Sequence, residues 1–182
     1  ISVQDHKKAL DGDNGLNTGG MGAYSPTSIV NSQMENLIME KVIRPTVNGM
    51  VKENIAYSGV LFAGLMLTDK GPQLIEYNCR FGDPECQTLM ARLISDPVEM
   101  LLATAQGRLQ ELKNIWSDET AITVILATKG YPGSYTRGSE IKGLVSASRI
   151  PGVTIFHSGT CLDKDKILAD GGRVLGVTAT AK

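Results

Sequence analysis

The stretch LIEYNCRFGDPECQ, residues 74–87, constrains this chain more than any other. It alternates polar and apolar residues with a period of two and then breaks at Gly82-Asp83-Pro84. Side chains on a strand alternate faces, so Glu76, Asn78 and Arg80 are expected on one face and Ile75, Tyr77 and Cys79 on the other. Asp83 before Pro84 has the form of a helix start, with Asp as the capping residue and Pro at the first helical position. A strand that runs straight into a helix N-terminus brings its polar face near backbone N–H groups that favour anions.

The surrounding sequence supplies partners for that strand. YSGVLFAGLMLT and PQLIEYNC are strand candidates joined by Asp69-Lys70-Gly71, which predicts a β-hairpin. Residues 31–54 carry apolar side chains at helical spacing, with Pro45 expected to kink the helix or open a second segment. PECQTLMARLI reads as a helix, and DPVEMLLATAQG repeats the Asp-Pro start and stops at Gly107. Residues 11–26, crowded with glycine and ending in Pro26, are expected to be a loop. Beyond about residue 110 the texture changes to short β-like runs: AITVILAT, EIKGLV, VTIFHSGT and GGRVLGVTAT, separated by turns such as KGYPGS. A boundary near residues 112–119 divides the chain into a unit at 1–110 and a small β-rich unit at 111–182. The fold class is α+β, antiparallel strands with helices.

Composition excludes little but points away from several partners. A net charge of −1 leaves no general basic field for nucleic acid. No apolar run approaches the roughly 20 residues of a membrane span. Cys79, Cys86 and Cys161 lack the C-x-x-C spacing and fit reduced thiols in a cytoplasmic protein. Cys79 is expected to face the core, and Cys86, in the first turn of a helix, occupies a position where a thiol pKa can fall. The chain opens on Ile1, as if in mid-strand, and is expected to be part of something longer.

On the hairpin, a carboxylate at Glu76 and a carboxamide at Asn78 offer hard oxygen ligands at about the separation that one Mg²⁺ requires. Mg²⁺ takes one or two protein ligands and the rest from water and phosphates. Arg80, one step further, is placed to contact a transferring phosphoryl group. The cluster reads as a nucleoside-triphosphate site without a P-loop. The same spacing is also compatible with a plain solvated strand face. In NTGGMGA, Gly19, Gly20 and Gly22 permit close approach of backbone N–H groups to a phosphate or carboxylate, or form a flexible connector. Asp5 and Lys7 share one strand face, either exposed at a strand start or directed at substrate or nucleotide phosphates. Lys129 and Arg137 lie in a turn, and His6 and His157 lack partners for catalysis.

RFGDPECQ, together with QDHK (4–7), NTGGMGAYSP (17–26), GVLFAGLM (59–66), KGYPG (129–133) and GGRVLGVTA (171–179), resembles the glycinamide ribonucleotide synthetase family of ATP-grasp enzymes in purine biosynthesis, in the same order along the chain. The resemblance implies the second half of an ATP-grasp domain followed by part of a β-rich C-terminal domain. It implies that ATP phosphorylates the glycine carboxylate and that 5-phosphoribosylamine then attacks the acyl phosphate. Glu76 and Asn78 would be ligands for Mg²⁺ (or Mn²⁺), and Arg80 the catalytic residue on the transferring phosphate. Asp5, Lys7, Gly19, Gly20, Asp83 and Glu85 would bind substrate or nucleotide. Glycine, 5-phosphoribosylamine and ATP would be the partners, with no nucleic acid or membrane, in a parent that is monomeric or fused to other purine enzymes. The isolated chain is expected to have little or no ligase activity. Two alternatives stay open: another ATP-grasp ligase or carboxylase, and a non-catalytic nucleotide- or metal-binding module. One departure from the ATP-grasp pattern is that GVLFAGLMLT carries no carboxylate before Asp69.

Overall fold

The computed structural model describes residues 1–182. Its second strand replaces most of the loop expected over residues 11–26. Strand β1 (Gln4–Leu10) turns through residues 11–13 into β2 (Asn14–Ser25), and the two pair antiparallel. Glycine-rich sequence forms a strand here because neighbouring groups crowd it. A Cβ on Gly22 would lie 2.9 Å from the Thr123 carbonyl oxygen on the adjacent strand. The irregularity that glycine predicts survives locally. His6 pairs with Gly22 and Lys8 with Asn17, so Thr18–Met21 forms a wide bulge opposite Lys7 alone.

Helix α1 (Ser32–Ile38) starts at Asn31, whose side chain accepts from the Met34 N–H, and passes through a π-helical segment (Met39–Ile43) into α2 (Arg44–Lys52). Proline cannot donate the helical hydrogen bond, and the wider turn just before Pro45 absorbs that loss without ending the helix. Strands β3 (Phe62–Thr68) and β4 (Gly71–Asn78) form the expected hairpin as a separate two-stranded ribbon. A register shift between Gly64 and Leu65 leaves Ile75 as the extra residue of a bulge, and Ile75 is exposed. The ribbon meets the helices through Tyr77, whose hydroxyl lies 2.7 Å from Thr46 Oγ1 and 3.2 Å from the Val42 carbonyl oxygen. Cys79, expected in the core, follows the last residue of β4 and is exposed.

Helix α3 (Glu85–Arg92) begins one residue later than the Asp-Pro pattern suggests. Asp83 does not cap it; its Oδ1 instead accepts from Gln87 Nε2 at 2.9 Å. The second Asp-Pro start behaves as expected: Asp96 Oδ1 accepts from Val98 N–H at 2.8 Å, and α4 (Pro97–Ala105) follows. The C-terminal strands are β5 (Thr120–Ala127), β6 (Ser139–Glu140), β7 (Val153–His157), β8 (Thr160–Asp163), β9 (Lys166–Ala169) and β10 (Arg173–Ala181). EIKGLV is a strand only at its first residue; Leu144–Ala147 is a short helix, α5, entered through Gly143 at φ +83°.

The principal sheet has the order β1-β2-β5-β10-β7, so it joins the N-terminal hairpin to strands of the β-rich unit. The smaller sheet β6-β9-β8 packs beside it around Ala169, Val174 and Leu175, with Ile141, Leu144 and Ile155 against them. No helix is long and apolar enough to cross a membrane.

Helix α3 lies on the principal sheet and is fixed there by hydroxyls. Thr88 Oγ1 donates to Thr123 Oγ1 at 2.8 Å, and Thr123 Oγ1 is 2.7 Å from Thr178 Oγ1. All three threonines are essentially inaccessible, so each hydroxyl must find its partner within the protein. Beside them, Arg92 donates to the Ser25 hydroxyl and to the Ser117 carbonyl. Replacing Thr123 by Val strands the Thr178 hydroxyl in the interior. It is expected to cost about 1–3 kcal/mol of unfolding free energy, whereas Thr123→Ser stays near the native value. Urea denaturation of the two variants measures the difference.

Candidate functional site

Two groups of side chains stand out. The first is on β4, where the expected alternation holds after the bulge. Asn78 Nδ2 donates to Glu76 Oε1 at 3.0 Å, which puts the two side chains on one face. Gly64 pairs with Glu76 across the ribbon, and the space its missing side chain leaves is occupied by Glu76, whose Cγ lies 3.2 Å from where a Cβ would sit. Arg80 is not on the strand. It follows the end of β4, is exposed, and donates to the Phe81 carbonyl at 2.9 Å, so the side-by-side triad reduces to a pair with a separate guanidinium beyond it. No three His, Cys, Asp or Glu side chains converge anywhere as a metal site. A carboxylate and a carboxamide on an open face fit an ion that draws its remaining ligands from water and phosphate oxygens.

The second group is assembled from segments far apart in sequence. Asp5 lies on β1, Gly19 and Gly20 in the β2 bulge, and Asp83 and Glu85 at the start of α3. Gly20, at φ +114°, sits where a Cβ would be 2.5 Å from Pro84 Cδ, 2.9 Å from Asp5 Oδ1 and 3.2 Å from the Asp83 carbonyl oxygen. Only a residue without a side chain allows the three segments to meet. The Gly19 N–H donates to the Tyr131 hydroxyl and the Gly20 N–H to Thr18 Oγ1, so these two amides hold the bulge together and are not turned to a phosphate.

The carboxyls of this group are unusual. The Asp5 side chain is 10% exposed, and neither of its oxygens has a hydrogen-bond partner. Lys7 Nζ is 3.4 Å from Asp5 Oδ2, close enough to attract but outside hydrogen-bonding geometry. Glu85 is buried, and its carboxylate folds back over Gly82. Burial pushes the Asp5 carboxyl above its ordinary 3.8, and the attraction of Lys7 only partly offsets this. Burial likewise raises Glu85 above its ordinary 4.5, with the charges of Asp5 and Asp83 adding to the effect. Cys86, instead of being activated at the helix start, is pushed up by burial and by Asp83 and Glu85.

The residues that sequence reasoning missed come from the C-terminal strands. Arg173 Nη1 donates to the carbonyls of Gly19 (2.9 Å), Gly20 (3.2 Å) and Asp83 (2.8 Å), and Nη2 to Asp83 Oδ2 (3.1 Å). Arg173 is the one charged residue in β10, an otherwise apolar and threonine-rich strand, and that was the available signal. Tyr131 gave no signal beyond its place in a glycine-proline turn. Of the other candidates, Arg137 is 3.7 Å from Asp170, His157 Nδ1 is 3.0 Å from Thr160 Oγ1, and the His6 ring lies beside Tyr24. None of these joins either group.

A carboxyl with a raised pKa favours the folded state while protonated, and that contribution is lost as pH rises through the folded value. For Asp5 the window opens near 3.8 and extends upward. Asp5→Asn is therefore expected to raise the Tm at pH 7 by roughly 2–4 °C and to leave it nearly unchanged at pH 3.5. Thermal melts of both proteins at the two pH values measure this.

Comparison with known proteins gives these groups a family context. Residues 1–86 match the profile of the phosphoribosylglycinamide synthetase ATP-grasp (A) domain, and residues 121–182 that of the phosphoribosylglycinamide synthetase C domain. The chloroplastic phosphoribosylamine–glycine ligase of Arabidopsis thaliana is 54% identical over 100% of this chain, which spans 35% of that relative. The human trifunctional purine biosynthetic protein adenosine-3 is 49% identical over 97% of the chain, which spans 18% of it. The crystal structure of phosphoribosylamine–glycine ligase from Thermotoga maritima superposes with a TM-score of 0.84 at 34% identity, covering 98% of this chain and 43% of that one. The chain thus spans less than half the length of each of these relatives, across the junction of two of their domains. With an α+β fold of the ATP-grasp kind, it belongs to the phosphoribosylglycinamide synthetase family.

Proposed function

We propose that this chain contributes to an ATP-dependent ligase that joins glycine to 5-phosphoribosylamine, giving glycinamide ribonucleotide, ADP and phosphate through a glycyl phosphate. The observation that carries this reading is the buried Asp5 carboxyl, with no hydrogen bond to either oxygen and only Lys7 close by, inside a group that holds more acid than base. Asp5, Asp83 and Glu85 face Lys7 and Arg173, with His6 adjoining Asp5, so with the imidazole neutral the fully ionised cluster keeps one excess negative charge. A cationic or N–H-bearing ligand completes such a site, and both glycine and phosphoribosylamine carry one.

The chemistry divides between the two groups. A carboxylate becomes a competent electrophile only after one oxygen is converted to a leaving group. Glu76 and Asn78 would hold Mg²⁺ (or Mn²⁺), which when bound neutralises triphosphate charge and orients the phosphates. Arg80 keeps donors beyond the one given to Phe81, and these are available to the phosphoryl group as it passes to the glycine carboxylate. The amine nitrogen then forms a bond to the acyl carbon as inorganic phosphate leaves, and the amine must lose a proton. Asp5 and Glu85 suit that task, because a carboxylate of raised pKa is a stronger base than an ordinary one. Lys7 stands beside them as the cation for a substrate carboxylate or phosphate. Gly19 and Gly20 contribute shape, and Asp83 is committed to Arg173 and Gln87.

In the full-length ligase carrying this segment, Glu76→Gln is expected to lower kcat by about two to four orders of magnitude at fixed Mg²⁺, with Tm unchanged because Glu76 is exposed. Ordinary rates at low Mg²⁺ in that variant would remove Glu76 from the metal site. The isolated 182-residue chain is expected to release no phosphate above background from ATP, glycine and phosphoribosylamine. Turnover near that of a full-length ligase would refute this.

A further inference from the structure

The acid cluster is built from pieces that would repel one another without a cation between them. The Gly19, Gly20 and Asp83 carbonyl oxygens and the Asp83 carboxylate all turn toward one point, and the guanidinium of Arg173 occupies it with four hydrogen bonds of 2.8–3.2 Å. The Arg173 side chain is 22% exposed and lies flat against Gly19, where a Cβ would meet its Cζ at 3.0 Å. A second grip comes from the same end of the chain, where the Tyr131 hydroxyl accepts from the Gly19 N–H at 3.1 Å. Tyr131 is itself packed on Gly172, the residue before Arg173. The bulge is therefore held on both its N–H and C=O sides by residues of the C-terminal unit.

We propose that Arg173, with Tyr131, is a positioning residue of the amine-binding site, so that the C-terminal unit completes a site whose carboxyls lie in the N-terminal unit. This rests on the ligase reading above. Two short mechanical links carry the effect. Arg173 holds the Gly20 carbonyl, and Gly20 lies directly over Asp5 Oδ1. Arg173 also holds both ends of Asp83, two residues before Glu85. Asp5 and Glu85 keep their separation because one planar fork ties both of their supports. Lysine cannot reproduce that fork, having a single nitrogen on a flexible stem. Three protein acceptors crowd Nη1 and a fourth holds Nη2, so the guanidinium is fixed in the plane of the bulge.

The test uses the full-length ligase carrying this segment, with Arg173→Met, Arg173→Lys and Tyr131→Phe. Arg173→Met is expected to raise KM for glycine or for phosphoribosylamine tenfold or more while KM for ATP stays within twofold. It should leave the acid limb of kcat/KM in place, because the charges that act on Asp5 and Glu85 are those of Lys7, His6, Asp83 and each other, and Arg173 acts on them through position. Arg173→Lys should recover part of the KM change. Tyr131→Phe, which leaves all charges in place, should raise the same KM about threefold. A parallel loss in all three KM values with a lowered Tm, or native kinetics in Arg173→Met, would overturn the proposal. If Arg173→Met does not fold, Tyr131→Phe decides, and an unchanged KM for both amine-bearing substrates overturns it. Absence of ligase activity in the unmutated protein would instead count against the ligase reading itself.

Discussion

Three buried hydroxyls in a row, Thr88, Thr123 and Thr178, hold the architecture in register. They connect α3 to β5 and β10, strands that meet the N-terminal hairpin only through β2. Threonine suits the task because its methyl group packs in a sheet while its hydroxyl satisfies a neighbour. With α3 held on the sheet, the segment before it, RFGDPE, cannot move far from the bulge in β2. The placement of Asp83 and Glu85 therefore follows from side chains that take no part in any chemistry.

The two functional groups differ in physical character. Glu76 and Asn78 are on an open ribbon, paired only with each other, as suits residues that share an ion with water and phosphate. Asp5 and Glu85 are withdrawn from water, Asp5 with only Lys7 close by and Glu85 folded back over Gly82, and burial pushes both carboxyls up. Burying a carboxylate without hydrogen bonds to satisfy it costs stability, and such an arrangement is characteristic of sites prepared for a ligand. Under the proposed reading, the open face would take the triphosphate and its ion. The closed cluster would then take the smaller, more selectively held amine.

Much of this was legible from local pattern. The β3–β4 hairpin, the Asp96 cap, and the helix interrupted before Pro45 are short-range consequences of turn chemistry, capping and the missing proline N–H. The glycine-rich stretch was misread for a clear reason. Glycine lowers strand propensity locally, but β1 on one side and β5 on the other supply ladder partners that outweigh the preference. Ile75 and Cys79 were misplaced because a bulge and an early strand end break a strict alternation. Asp83 failed to cap because Arg173 and Gln87 compete for its carboxylate.

What the sequence alone determined is the chemistry available: an acid and an amide two residues apart, an arginine beyond them, a paired Asp and Lys, and a glycine-rich turn of chain, in an order that points to one enzyme family. Those are properties of residue type and short spacing, which survive any folding. Tertiary structure decided which groups meet. Asp5, Gly20, Glu85 and Arg173 come from four segments spread over nearly the whole chain, and no local periodicity encodes their distance. Only the sheet order, which carries β10 beside β5 and β5 beside β2, sets an arginine from the end of the chain against carbonyls near its beginning.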